Sequence, residues 1–306
     1  MARPFDVVGI GLAVYDSSFL VDRYPQVDTK IDALELWHGG GGPVATALVL
    51  LARWGVKTAY AGRAGNDFRG EALRAEFAAA GVDVTYFELD SALATPHASI
   101  WVERGTGART AVLGRGHYSQ PSKLPVSLID NAQILHFDGR DPELCAEAAR
   151  RARTAGTEGS LEVGSPRLKV MPLLDLTDHL VVSERFAHAA TGHDATDAQI
   201  GGLWKNNLNA LVITRGGRGA AGRDKTDLLV TCGAYAVATV DTTGAGDLYH
   251  AGYLYGVQNG WGLARRMRFA AATAALATTA LGARGKLPAV TEVEALIRTG
   301  HETGER

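Results

Sequence analysis

Short apolar runs alternate with longer amphipathic stretches along most of this chain, the pattern of β-strands joined by helices. Residues 5–13 form an apolar run that predicts a buried first strand ending at Gly9-Ile-Gly11. Further strands are predicted at 57–62, 82–89, 134–137, 160–163, 179–183 and 210–214. Helical spacing of apolar positions predicts helices at 44–54, 68–80, 142–153, 184–190, 196–207, 263–281 and 291–299. Residues 63–67 read as a turn, and the Gly-rich stretch from Arg215 to Gly219 leads into a hairpin turning at Asp224-Lys225. Alternation of this kind implies a mostly parallel sheet covered by helices on both faces. Four short strands break it, at 19–21, 31–37, 97–102 and 109–113. They lie too close together for strand–helix–strand units, so they predict a small separate sheet acting as a lid or a dimer surface. The expected organisation is one α/β domain over residues 1–306, with lid strands inserted at about 17–38 and 96–114.

Composition narrows the class of protein. A hydrophobic fraction of 46% is ample for a core, and a formal net charge of -2 leaves no footprint for nucleic acid or membrane. Cys145 and Cys232 sit in apolar surroundings and read as reduced core residues rather than a metal or redox pair. The first residues lack a signal-peptide core and cleavage site. The longest apolar run, 269–281, is short of a membrane span and rich in alanine and threonine, as in a tightly packed helix. A cytoplasmic enzyme or binding protein is the expectation.

The chemistry concentrates in residues 237–256. A β-branched run, 237–240, predicts a strand end, followed by Asp241-Thr-Thr-Gly-Ala-Gly-Asp247 and then helical spacing. A glycine turn opening a helix leaves backbone N–H groups unpaired and aimed at one point, which favours an anion. Asp247 places a carboxylate beside those donors. It could be an electrostatic cap of the helix, or a base that deprotonates a hydroxyl while the amides hold a transferred phosphoryl group. Gly39-Gly-Gly-Gly42-Pro43 before the first helix allows close approach of a ligand, or serves as a hinge. Asp16 lies just beyond the first strand, where open α/β sheets bind ligands, although a plain turn residue would look the same. The Gly9/Gly11 pair lacks the third glycine of a dinucleotide fold, Val14 standing in its place. Gly282-Ala-Arg-Gly-Lys286 is not a P-loop, because spacing and hydroxyl are missing. His188 and His193 form no metal pattern, and His250 shares a helix face with Asp247.

With these motifs quoted, the chain resembles the PfkB, or ribokinase-like, carbohydrate kinases over almost its whole length. Asp241 to Asp247 is similar to the family's C-terminal signature. The Gly-rich entry with Leu51-Ala-Arg-Trp-Gly55 and Gly62-Arg-Ala-Gly-Asn-Asp67 is similar to the N-terminal one. The resemblance implies a three-layer α/β sandwich and transfer of the ATP γ-phosphate to a sugar hydroxyl with Mg2+, leaving open a monovalent cation. It makes Asp247 the base and the amides of Gly244, Ala245 and Gly246 the anion hole. Asp16, Lys30, Gly41, Gly42, Thr46 and Arg140 then fall on the substrate side. Ser183, Thr214, Gly216, Gly219, Thr243, Gly244 and Gly246 fall on the nucleotide side. Two positions depart from the family pattern: Thr46 stands where an asparagine is frequent, and Ser183-Glu-Arg-Phe186 replaces an Asn-x-x-Glu. Glu184 is left as the candidate to serve the metal, through water.

Residues 20–25, His136-Phe-Asp-Gly-Arg140 and 160–167 resemble ketohexokinase. Gly40-Gly-Gly-Pro-Val-Ala-Thr-Ala47, with Lys30 and Arg140 as two cations for a sulfonate, resembles the sulfofructose kinases. A third position falls near Leu113, with Arg115 close by. The resemblance therefore implies a ketose-type sugar, fructose-like, with an anionic group open. Alternatives are a kinase for a nucleoside or a 2-keto-3-deoxy sugar acid, and a non-catalytic sugar or nucleotide sensor on the same fold. The expected partners are the sugar and ATP, with a homodimer formed through the exposed lid strands.

Overall fold

The computed structural model describes residues 3–114 and 121–303. Residue Arg115, weighed above as a cation near Leu113, lies outside them. The chain opens with β1 (Phe5–Ile10), β2 (Val14–Val21) and β3 (Glu35–Gly41), then α1 (Pro43–Arg53), β4 (Thr58–Gly65), α2 (Phe68–Ala80) and β5 (Asp83–Asp90). Next come β6 (His97–Glu103), β7 (Arg109–Gly114), α3 (Val126–Asp130), β8 (Ala132–Phe137), α4 (Pro142–Ala155) and β9 (Glu158–Val163). After a 3-10 segment (Leu168–Leu176) follow β10 (His179–Ser183), α5 (Glu184–Thr191), α6 (Thr196–Leu203) and β11 (Ala210–Thr214). The remainder is β12 (Ala220–Asp224), β13 (Leu229–Cys232), β14 (Ala234–Tyr235), α7 (Ala245–Gln258), α8 (Leu263–Ala277), α9 (Val290–Thr299) and β15 (Glu302–Thr303).

Nine strands form the main sheet in the order β13-β12-β11-β10-β9-β8-β1-β4-β5. The seven from β11 to β5 run parallel, and β12 and β13 join antiparallel. From β1 the chain first builds outward to β4 and β5, then returns to β8 on the other side of β1. Ligands of open α/β sheets bind at such a reversal, outside the carboxyl ends of the strands. Strand alternation supplies both cores: Val7 faces the one shared with α1, α7 and α8, whereas Val8 and Ile10 face the one under α4 and α5.

A second sheet of four strands, β3-β2-β6-β7, forms the lid. Strands β6 and β7 start where the apolar pattern places them, whereas β2 starts earlier and β3 is shifted toward its carboxyl end. β2 starts at Val14, so Asp16 is a lid-strand residue paired with Gly39 and Ala98 rather than the end of the first strand. β3 absorbs Gly39 to Gly41, which therefore form a paired strand and not a hinge. Side chains that touch a site, not a core, are polar or absent there, which hides the strand period. Two other expectations are corrected. β4 runs on to Gly65 through residues read as a turn, because Arg63 and Ala64 keep pairing with β5. Residues 237–240 form no strand; Val240 and Asp241 instead donate their amides to the Thr278 carbonyl at the end of α8.

The tight helix expected from the alanine-rich run is α8, which packs on α7. A Cβ at Gly252 would lie 2.8 Å from the Ala270 Cα, so glycine sets how closely the two helices approach. Between β4, β5 and α2, the rings of Tyr60, Phe77 and Phe87 meet with centroids 4.8 to 5.5 Å apart. Truncating a fully buried ring leaves a cavity that the sheet cannot close. Phe77→Ala is therefore expected to cost about 3–5 kcal/mol, read as a shift of the urea midpoint at unchanged slope.

Candidate functional site

Helix α7 begins at the carboxyl edge of the sheet with Gly244 in the left-handed conformation, φ 76°. A Cβ there would meet the Ala283 carbonyl oxygen at 2.6 Å, so glycine is required on two counts. The turn before it is pinned by Asp241, a fully buried carboxylate. It accepts from the Thr243 amide at 2.8 Å, the Thr243 hydroxyl at 2.6 Å and the Gly282 amide at 2.8 Å. Of the three cradle amides expected, that of Ala245 turns to the Thr242 carbonyl at 3.3 Å. Those of Gly244 and Gly246 have no partner among the described residues. A Cβ added at Gly246 would meet nothing within 4 Å, leaving open space above the helix start.

Asp247 follows in the first turn, partly open to that space. Desolvation is the largest influence on its carboxyl and raises its pKa, while Arg109, a hydrogen bond from Glu162, Arg284 and Arg140 pull the other way. Glu162, at the end of β9 and 2% exposed, is raised well above the usual carboxylate range by burial and by Asp247. Two buried carboxyl groups this close disfavour each other's ionisation, so the pair favours a single negative charge. His250 and His136 sit beside Glu162 at 3.5 Å and 3.8 Å. Burial lowers their pKa values to about 4 and about 3, keeping both rings neutral.

Asp16 faces the same space from the lid and is 4% exposed. Burial raises its pKa to about 7; Arg284 and Arg109 oppose that rise, and Asp247 and Asp241 add to it. Gly41 is required directly beneath it, since a Cβ would lie 2.0 Å from the carboxylate oxygen. Gly42, at φ 95°, would drive a Cβ into the Leu12 carbonyl at 2.2 Å. Thr46 in α1 is buried and accepts from Arg284 Nε at 3.2 Å.

Other expected residues are placed less centrally. Arg140 is partly exposed, 3.6 Å from Asp138, and lines an open cavity of about 850 Å³ with Leu168, Lys169 and Met171. Lys30 is exposed on the loop between β2 and β3, with no ion pair among the described residues. Ser183 caps α5, accepting from the Phe186 amide at 3.1 Å. Thr214, Gly216, Gly219, Thr242, Ala245 and Gly246 line one cleft of about 510 Å³, with Val237, Tyr249 and Ala274 as apolar walls. An apolar cleft leading to free helix amides has the form of a nucleotide site.

Among the described residues, no three His, Cys, Asp or Glu side chains assemble to hold a metal. Glu184 is ion-paired with Arg218. A lone carboxylate of this kind could serve Mg2+ only through water, since that ion keeps several waters and takes phosphate oxygens directly.

Sequence reasoning missed Asp138, Glu162, Arg109 and Arg284. Asp138 locks the switch point, accepting from the Leu12 amide at 2.9 Å and the Arg140 amide at 3.1 Å. Arg109 reaches from the lid to the Thr242 carbonyl at 3.1 Å and hydroxyl at 3.0 Å. Their available signal was charge inside otherwise apolar runs, as in His136-Phe-Asp and Ser160-Leu-Glu.

The raised Asp16 pKa has a sign that can be checked. Its folded value lies above the unfolded one, so the stabilisation is complete below pH 4 and fades as pH rises through about 7. Asp16→Asn removes that dependence. Relative to the parent, the variant is expected to gain on the order of 4 kcal/mol between pH 4 and pH 8, measured by denaturant titration across that range.

Comparison with known proteins gives a consistent result. The profile of the pfkB family carbohydrate kinases matches residues 5–290. A fructokinase from Solanum tuberosum is 28% identical, covering 98% of this chain and all of its own (100%). A nucleoside kinase from Methanothermobacter thermautotrophicus is 24% identical, with 94% of each chain covered. Among solved structures, an Arabidopsis thaliana ribokinase complexed with ribose and ATP superposes with a TM-score of 0.81. It is 24% identical, and 97% of this chain and 99% of that one are covered.

Proposed function

The chain belongs to the pfkB family of carbohydrate kinases, and we propose that it transfers the γ-phosphate of ATP to a hydroxyl of a ketose-type sugar, with Asp247 as general base. One observation carries the reading: Asp247 lies between free helix amides and a second carboxylate, Asp16, at the switch point of the sheet. Nucleotide phosphates would arrive from the cleft lined by Thr214, Gly216 and Gly219, and the sugar from the lid side. ATP use follows from the family, whose relatives include kinases of fructose and of nucleosides.

The steps attributable to this chain are few. Phosphoryl transfer demands positioning and charge neutralisation more than covalent help. Asp16 in its ionised form accepts hydrogen bonds from sugar hydroxyls and orients the ring. Asp247 takes the proton of the attacking hydroxyl as the new phosphorus–oxygen bond forms and the bond from the γ-phosphorus to the departing ADP oxygen breaks, with Glu162 as the buried carboxyl beside it. The Gly244 and Gly246 amides receive charge on the transferred group. Mg2+, when bound, neutralises phosphate charge, and Glu184 would reach it through water. Arg109 ties the lid to Thr242, so lid closure and cradle geometry are coupled.

Fructose-type acceptors are favoured by the fructokinase likeness, and a nucleoside is the second reading, favoured by the nucleoside kinase likeness. Arg140, with Lys169 on the same open cavity, is the cation we assign to an anionic substituent. A coupled ADP-release assay over fructose, a sulfonated ketose, ribose, a nucleoside and a 2-keto-3-deoxy sugar acid decides among them. Ketoses are expected to have the highest kcat/KM. ADP release with the nucleoside alone would replace the sugar assignment, and binding without ADP release from any acceptor would indicate a sensor.

The outer lid face supports a homodimer. Strand register aligns Phe19 with Leu36 and Trp101, and Ser99 with Val112, giving an apolar patch on which Leu36 and Val112 are 52% and 58% exposed. Sedimentation at micromolar concentration is expected to give a dimer, and Leu36→Glu with Val112→Glu a monomer. A monomeric parent would remove this part of the reading.

A further inference from the structure

Between α8 and α9 the chain passes through Gly282-Ala-Arg-Gly285, and this short segment meets the cradle turn, the lid and the glycine strand. The Gly282 amide donates to Asp241 at 2.8 Å, beneath the cradle. Ala283 packs under Gly244, and Gly282 lies flat against the ring of Trp37, where a Cβ would come within 2.2 Å. Arg284 then turns inward, its side chain 1% exposed.

The guanidinium is held as a fork. Nε donates to the Thr46 hydroxyl at 3.2 Å, and one terminal nitrogen donates to the Gly41 carbonyl at 3.4 Å. The other lies 2.9 Å from the Glu76 carboxylate. Glu76 in turn accepts the Gly40 amide at 2.8 Å, and the guanidinium stands 5.5 Å from the Phe77 ring centroid. Gly40 carries no side chain where a Cβ would lie 2.2 Å from Arg284. A buried cation needs partners on every side, and this one finds them on α1, α2 and β3. Its field reaches both site carboxylates.

We propose that Arg284 is a positioning residue for the acceptor side: with Glu76 it clamps the Gly40–Gly41 strand under Asp16 and keeps that carboxylate placed and charged for the acceptor. The inference rests on the assignment of the Asp16 pocket to the acceptor. It differs from that assignment in locating the control in a loop remote in sequence, which joins the cradle, Trp37 of the lid and the glycine strand. Asp16 is faced by Asp247 from α7, Asp241 from the preceding turn, Arg109 from β7 and Arg284 from this loop. Removing Arg284 deletes the largest opposing charge and leaves the two carboxylates. The Asp16 pKa then rises further, and ionisation of Asp16 requires a higher pH.

Steady-state kinetics with fructose as acceptor, measured from pH 5.5 to 9, test this. Arg284→Met is expected to raise the fructose KM at least tenfold and to leave the ATP KM within about twofold. It should also move the acid limb of kcat/KM for fructose upward by at least half a pH unit. Arg284→Lys keeps the charge without the fork, so the acid limb should return toward the parent while the fructose KM stays high. If Arg284→Met does not fold, the double variant Arg284→Met/Glu76→Leu, which leaves no orphan charge, is read by the same criteria. An unchanged fructose KM and acid limb would overturn the proposal, as would equal changes in both KM values. Asp16→Asn run alongside separates the two failures. An unchanged fructose KM in that variant overturns the assignment of the pocket; a raised one beside a silent Arg284→Met overturns the role of Arg284 alone.

Discussion

Holding carboxylates in a largely dry cleft is the constraint on which the arrangement of this protein depends. Asp16 and Asp247 face one space, each raised by desolvation and each opposed by the same cations, Arg284 and Arg109. Left unopposed, such groups neutralise and lose the ability to accept a proton or a hydroxyl hydrogen bond. The positive end of α7 and the two guanidinium groups keep that ability within reach of neutral pH. Glu162 sets the other boundary: buried beside Asp247, it disfavours a second negative charge in the pair.

Glycine is the second requirement and follows from the first. Gly41 lies under Asp16, Gly40 under Arg284 and Gly244 over Ala283, each where a Cβ would overlap within 2.6 Å or less. Close backbone approach lets charges from lid, helix and loop share one small volume. It also binds the parts mechanically, because Arg109 and Trp37 connect the lid to Thr242 and Gly282.

Much of this was legible in the chain. The alternation of apolar runs gave helix α2 and strands β10 and β11 to the residue, since these elements carry ordinary core periods. The glycine turn before Asp247 stood out by composition, and the structure accounts for it with a left-handed Gly244 packed against Ala283. Strands β2 and β3 were harder to delimit, because residues facing a site carry no apolar period, and the end of β4 because Arg63 and Gly65 interrupt its apolar run. Arg284 was invisible for a different reason: its partners Thr46, Glu76 and Gly41 lie more than 200 residues away, and no local pattern marks a buried cation.

The account's central claim is that the Asp247 carboxylate removes the acceptor's proton while neighbouring groups only position and neutralise. Single-turnover phosphoryl transfer by Asp247→Asn, at saturating ATP and acceptor, tests it most directly. The amide keeps the shape and loses the base, so the transfer rate is expected to fall about 10²–10⁴-fold with acceptor binding little changed. Transfer at the parent rate in that variant would contradict the account.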